Sequence, residues 1–94
     1  MAAADHLNVE QFDPEEIGHL QSRDYGGRLR DIDFAPGSES DRRVREIMRT
    51  AATSGIHTPI SVKGTDTSRW LDDGHHRYVA ARRLKIPIPV KGYF

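Results

Sequence analysis

The 94-residue chain has the size and composition of one small folded domain, because 36% of its residues are hydrophobic and 30% are charged. Its 14 Lys and Arg balance its 14 Asp and Glu, so net charge does not support nucleic acid as a partner, although a local basic patch stays open. With no cysteine, the chain excludes disulfides, thiolate zinc sites and cysteine nucleophiles. We find neither an apolar run of membrane-spanning length nor a signal peptide, and we therefore expect a cytoplasmic protein without a membrane partner.

The first 40 residues carry the weaker structural signals. Residues 1–10 look like a loose lead-in, and Asp13-Pro14 followed by two glutamates predicts the start of a short helix that ends near Gly26. Residues 29–34 alternate apolar and polar side chains, which predicts a half-buried strand. We therefore expect residues 1–40 to form a segment with a short helix and a strand, of unassigned role, ahead of a domain at residues 41–94.

The clearest predicted helix begins at Ser40 and Asp41 and ends at Gly55, where a helix C-terminus favours glycine. Its apolar side chains recur at helical spacing, which predicts one face packed on a sheet. These residues are Val44, Ile47, Met48, Ala51 and Ala52.

The remaining elements complete a small mixed α/β domain. Residues 59–63 predict a strand, and a polar turn at 64–68 leads to a second strand at Trp70 and Leu71, paired with the first as a hairpin. A helix at residues 74–84 follows, and Ile88 and Val90 share a face of a last strand. Because Pro87 and Pro89 lack N–H donors, we expect that strand at an edge of the sheet or the prolines at its start.

The start of the second helix has the features of a phosphate site. Gly74, His75, His76 and Arg77 follow a strand and an acidic turn. A helix N-terminus carries unpaired backbone N–H groups and partial positive charge, while glycine lets a ligand approach the backbone closely. The two imidazoles and the guanidinium add side-chain donors. The pattern therefore predicts that residues 74–77 hold a phosphate group.

The same residues also allow simpler interpretations. Asp73 could orient a ligand or Mg²⁺, or it could only cap the helix. Arg77 could contact a phosphate or pair with a surface acid such as Asp13 or Glu15. Adjacent histidines on a helix point in different directions, which disfavours a zinc site at His75 and His76. Arg82 and Arg83, farther along, are expected on a solvated face.

Three segments resemble the ParB/sulfiredoxin superfamily, in order and at compatible spacing. Residues 48–62 resemble its helix, G-x-x-x-P-I-x-V turn and strand. Residues 73–81 resemble its second signature, which is G-E-R-R in ParB proteins, G-C-H-R in sulfiredoxins and D-G-H-H-R in free-serine kinases and related proteins. Residues 87–90 match its closing strand. The resemblance covers residues 41–94 and implies a small single-domain ParB/sulfiredoxin-like fold that binds a nucleotide.

The resemblance also implies roles for individual residues. It places the phosphates of a nucleoside triphosphate, ATP or CTP, at Gly74, His76 and Arg77, with Mg²⁺ as an accompanying ion. It places the base or ribose near the turn formed by Gly55, His57, Thr58 and Pro59. The catalytic cysteine of sulfiredoxins corresponds to His75, so sulfiredoxin chemistry is excluded. The helix-turn-helix and dimerisation regions of ParB have no counterpart before the chain stops at Phe94.

Two functional classes follow from these residues. The first is an enzyme, a Mg²⁺-dependent nucleotide hydrolase, phosphotransferase or nuclease, in which Asp73 and His75 would be catalytic and Asp73 would hold the metal. The second is a non-catalytic binding protein that regulates a protein partner or a DNA transaction. Small size and balanced charge favour the second class, whereas the intact Asp73–Arg77 run favours the first.

Overall fold

A five-stranded mixed sheet and two helices make up the computed structural model, which describes residues 9–65 and 67–92. The strands are β1 (Val9–Phe12), β2 (Gln21–Ser22), β3 (Ile60–Thr65), β4 (Ser68–Asp73) and β5 (Ile88–Lys91), and the helices are α1 (Glu39–Ser54) and α2 (His75–Leu84). Within the described residues, no helix combines the length and apolar character needed to cross a bilayer. Of the lead-in expected at residues 1–10, residues 1–8 lie outside the described part.

The strand order is β1-β5-β3-β4-β2, which confirms the small mixed α/β class. β3 and β4 form the predicted antiparallel hairpin, with Lys63 opposite Trp70. Both strands extend into the predicted polar turn, where Gly64 has a φ of 114° and a Cβ would lie 2.9 Å from Arg69 Cα. β3 also pairs with β5 in parallel, so residues from the middle and the end of the chain meet at the centre of the sheet.

Of the two alternatives for the prolines of β5, the edge position is wrong, whereas Pro87 does lie at the start of the strand. β5 is an inner strand, antiparallel to β1 on one side and parallel to β3 on the other. It accommodates its prolines by position: Pro87 precedes the strand, and pairing with β3 starts only at Val90, after Pro89. β1, which the sequence did not predict, covers the edge that β5 would otherwise present.

Neither element predicted between residues 13 and 34 has the expected form. The helix is a single 3₁₀ turn at Pro14–Ile17, after which Gly18 packs against Tyr78 and the chain turns into β2. The predicted strand at 29–34 is a 3₁₀ turn at Leu29–Asp31 followed by irregular chain. This N-terminal segment supplies two strands to the sheet that residues 60–91 build, so both parts of the chain share one core.

Helix α1 forms as predicted, but its buried stripe is narrower than expected. The Ser38 hydroxyl caps it by accepting the Asp41 N–H. Val44 and Ala51 are buried, Ile47 and Met48 are half-buried, and Ala52 is exposed, contrary to expectation. α1 packs chiefly against α2 rather than on the sheet, and a neighbouring helix covers a narrower stripe than a sheet does.

Arg82 and Arg83 of α2 do not lie on a solvated face, contrary to the prediction. The Arg82 guanidinium donates to the carbonyls of Leu29, at 2.9 Å, and of Ile32. The Leu29 carbonyl also accepts the Ile32 N–H at 3.1 Å within the 3₁₀ turn, so a side chain and a local turn, instead of a neighbouring strand, satisfy these carbonyls. Arg83 bonds Asp41 at 2.8 Å and Asp33 at 2.7 Å, and so links α2 to both α1 and the N-terminal segment.

The same substitution, Ala→Asp, at the neighbouring positions Ala51 and Ala52 tests which face of α1 is buried. Ala51→Asp places an unpaired charge in the core, which costs several kcal/mol and should remove most of a typical stability of about 5–15 kcal/mol. Ala52→Asp, on the exposed face, should change stability by about 0.5 kcal/mol or less. Thermal unfolding followed by circular dichroism compares them, and equal melting temperatures would contradict the orientation of α1.

Candidate functional site

Gly74 joins β4 to α2 through a conformation that other residues adopt rarely. Its φ is 107°, and a Cβ at this position would lie 2.8 Å from Ile60 Cβ, well inside contact distance. We expected this glycine to admit a ligand, and the structure supplies a reason that needs no ligand. Gly74 is also the residue that precedes the helix, and no side chain caps the helix there, so the interpretation of Asp73 as a cap is wrong.

The start of α2 opens into a cleft of about 790 Å³. Its walls are residues 73–77, the loop at 55–58, the face of α1 between Arg43 and Ser54, and Asp24 with Tyr25 from the N-terminal segment. Eight of the nine site residues predicted from the sequence line this cleft: Gly55, His57, Thr58, Asp73, Gly74, His75, His76 and Arg77. Pro59, the ninth, is half-buried and is not among the lining residues.

The charges around the cleft are mixed. Arg43 and Arg77 line it together with Asp24, Glu46 and Asp73. Arg77 pairs with Asp73 of the preceding turn, with 3.4 Å between Nη2 and Oδ2, rather than with Asp13 or Glu15. The Asp73 side chain is 77% exposed, so this ion pair is a weak interaction that a ligand can replace.

His76 is held against the beginning of α1. Its Nε2 lies 3.2 Å from the Ser40 hydroxyl, and its ring stacks on Phe34 with 5.2 Å between centroids. Burial, with a smaller contribution from the Arg43 charge, lowers the pKa of His76. The ring is therefore a neutral donor or acceptor at physiological pH, positioned at the end of the cleft near α1.

His75 points away from His76, as the helix geometry predicted. Its Nε2 is 2.8 Å from the Ser22 hydroxyl, its Nδ1 is 3.6 Å from an Asp24 carboxylate oxygen, and its side chain is only 3% exposed. Burial lowers its pKa, and the nearby Asp24 charge opposes this effect without cancelling it. The different partners of the two histidines leave no shared metal site, and no group of three metal-ligating side chains occurs in the described residues.

The contact between Ser22 and His75 has the composition of a nucleophile and its base, but its surroundings give it a structural role. Ser22 is 6% exposed, and its hydroxyl also accepts the Tyr25 N–H at 3.0 Å. The hydroxyl thus binds two partners within the fold and holds residues 22–25 against α2. The predictions that His75 is catalytic and that Asp73 binds metal stay predictions.

Sequence reasoning missed every contribution of the N-terminal segment to this site. Ser22, Asp24, Tyr25 and Phe34 lie in or directly behind the cleft wall, yet they belong to no motif. Ser22 and His75 are 53 residues apart, and no local pattern predicts such a pairing. Arg43 could have been found, because it lies one turn before Ile47 on the α1 face that lines the cleft.

Comparisons with known proteins identify the fold. Neither a protein-family model nor a curated protein matches the sequence. Among solved structures, sulfiredoxin from Arabidopsis thaliana superposes with a TM-score of 0.60 at 24% identity, over 88% of this chain and 81% of that chain. The chain has a sulfiredoxin-like fold. The matched 88% of the chain is more than residues 41–94 contain, so the structural similarity includes part of the N-terminal segment. At 24% identity the similarity shows the fold and not the activity.

The lowered pKa values of His75 and His76 predict how the stability of the fold depends on pH. Their folded-state pKa values are below the ordinary value of 6.5, so the unfolded chain binds more protons just below that pH. The free energy of unfolding should therefore fall as the pH drops from about 7.5 through 6.5 toward the folded pKa values. Asp33, Asp41 and Asp72 have pKa values lowered from 3.8 and titrate below this window.

His75→Gln keeps a polar partner for Ser22 and removes the titration. Urea unfolding at about pH 7.5 and at about pH 5 should show a smaller loss of stability in this variant than in the parent. His76→Gln provides the companion measurement, because His76 titrates in the same window. Equal losses in the parent and in both variants would mean that the imidazoles do not carry the pH dependence.

Proposed function

We propose that this protein binds a nucleoside triphosphate, ATP or CTP, with its phosphates at the start of α2. The observation that carries the proposal is an uncapped helix N-terminus that begins at Gly74 and opens into the cleft. The first N–H groups of such a helix attract anions, and Arg77 lies in that first turn with Arg43 across the cleft. The volume of about 790 Å³ is in the range of ligand pockets.

The acidic residues of the cleft favour a nucleotide that arrives with Mg²⁺. Asp24, Glu46 and Asp73 would repel a bare triphosphate, and a divalent cation lowers its charge. Because Mg²⁺ usually takes one or two carboxylates together with phosphate oxygens and waters, a single exposed carboxylate such as Asp73 suits it. Mg²⁺ would therefore bind with the nucleotide rather than before it.

Arg77→Ala tests the phosphate site. Loss of one charge-assisted hydrogen bond should weaken binding of MgATP or MgCTP about 10- to 150-fold, which corresponds to about 1.5–3 kcal/mol. The fold should persist, since the variant loses only an exposed pair of the kind that contributes about 0.3–0.5 kcal/mol. Titration calorimetry on folded protein measures both affinities.

Arg49→Ala is the matched control, because Arg49 is an exposed arginine of α1 that does not line the cleft. It should bind like the parent. Equal affinity in the parent and in Arg77→Ala would remove Arg77 from the site, and absence of binding to either nucleotide in the parent would contradict the proposed function.

Mg²⁺-dependent hydrolysis of the bound nucleotide is a second candidate, favoured by the exposure of Asp73 at the cleft. The carboxylate is exposed at the cleft, where it would orient a Mg²⁺-bound water or accept a proton from it. His75 would act by positioning, because its ring nitrogens face Ser22 and Asp24 instead of the cleft centre. A nuclease is less well supported, since the net charge is zero and the described residues hold no group of three metal ligands.

Asp73→Asn separates hydrolysis from binding. It removes the charge and keeps the size, so turnover should fall at least about a hundredfold while the melting temperature changes little. Phosphate release from MgATP and MgCTP is the measurement, and Asp31→Asn, an exposed carboxylate outside the cleft, is the control. A parent that binds nucleotide without Mg²⁺-dependent turnover would be a binding protein, and full activity in Asp73→Asn would exclude Asp73 from the reaction.

A further inference from the structure

Tyr25 is an exposed aromatic residue on the wall of the cleft. It is 48% exposed and, with Val9, is one of the two large hydrophobic side chains left exposed in the described part of the chain. Leaving such a ring in water forgoes the free energy that burial would give. Unlike Val9, Tyr25 lines the cleft, beside the first turn of α2.

The Tyr25 ring is held in place although it is exposed. It makes edge-to-face contacts with Phe34, at 5.3 Å between centroids, and with His75, at 5.2 Å. Its backbone N–H donates to the Ser22 hydroxyl, which in turn bonds His75. A ring fixed in this way loses little conformational entropy when a ligand packs on it.

The lining of the cleft combines two kinds of chemistry. The arginines and the α2 start provide charge and N–H donors, which suit phosphates. Tyr25, with Ile47 of the facing helix, provides apolar surface, which phosphates do not need. A planar aromatic heterocycle matches these apolar side chains, because every nucleobase has a π-face that stacks on an aromatic side chain.

We propose that Tyr25 is the stacking platform for the base of the bound nucleotide. This inference rests on the proposed function and extends it, because it assigns the N-terminal segment a role in ligand recognition. In this arrangement the base contacts a residue outside the segments that carry the superfamily resemblance, and the turn at residues 55–59 is left to the ribose. The phosphates contact residues inside those segments. Binding energy from Tyr25 thus depends on the base, whereas energy from Arg77 depends on the phosphates.

The experiment compares ATP and CTP with inorganic triphosphate, each with Mg²⁺, in titration calorimetry. Tyr25→Ala should weaken nucleotide binding about 5- to 150-fold and leave triphosphate binding unchanged. Tyr25→Phe keeps the ring and should bind like the parent. Tyr25→Leu keeps apolar bulk against Phe34 and His75 but lacks a planar ring, and it should lose nucleotide affinity without losing the fold. Val9→Ala, away from the cleft, is the control for an exposed apolar side chain.

The outcomes separate this inference from the proposed function. A parent that binds neither nucleotide nor triphosphate contradicts both. A parent that binds nucleotide with the same affinity as Tyr25→Ala and Tyr25→Leu contradicts stacking alone. Equal weakening of nucleotide and triphosphate in these variants also overturns the inference, because it would mean that Tyr25 shapes the cleft and does not contact the base.

Discussion

The close approach of Gly74 to Ile60 determines where α2 begins and therefore where the cleft lies. Because residue 74 has no side chain, the chain can turn through a left-handed conformation directly over β3. The helix then starts without a side-chain cap, and its first turn faces the cleft. Any larger residue would move α2 away from the sheet. One steric constraint thus connects the packing of the core with the N–H groups that a ligand would meet.

Helix α2 also organises the N-terminal segment, through contacts along its whole length. At its first turn His75 bonds Ser22, in its middle the Tyr78 hydroxyl donates to the Pro14 carbonyl at 3.1 Å, and at its end Arg82 donates to the carbonyls of Leu29, Arg30 and Ile32. The Tyr78 ring is buried, and so are Ile17, Leu20 and Leu29 of the N-terminal segment. These polar contacts and the shared core explain how a segment with only a six-residue total of strand keeps a defined position against the domain.

Short-range sequence patterns predict the elements of this fold that depend on residues close together in the chain. Helix α1, the β3–β4 hairpin and the Gly74-led start of α2 follow from apolar spacing and from glycine at the turns. The alternation of apolar and polar residues at 29–34 wrongly predicts a strand, because a 3₁₀ turn and the distant Arg82 guanidinium satisfy the carbonyls of Leu29 and Ile32. Burial of Ala52 is wrongly predicted because α1 packs against a helix, α2, and not on the sheet. The Ser22–His75 contact gives no local signal, so the presence of Asp24 and Tyr25 in the cleft wall could not be predicted.

Two parts of the chain form the walls of the cleft, and different interactions hold each of them. The wall formed by Asp24 and Tyr25 is held by side-chain hydrogen bonds and ring contacts, whereas the wall formed by residues 75–77 belongs to α2, a helix with a buried face. The chain on either side of Asp24 and Tyr25 is also fixed, because the Arg23 N–H donates to the Leu71 carbonyl of β4 at 3.2 Å, and Leu20 and Leu29 are buried in the core. A ligand that bridges the two walls would therefore meet a site already formed, and the His75 contact would support binding without touching the ligand.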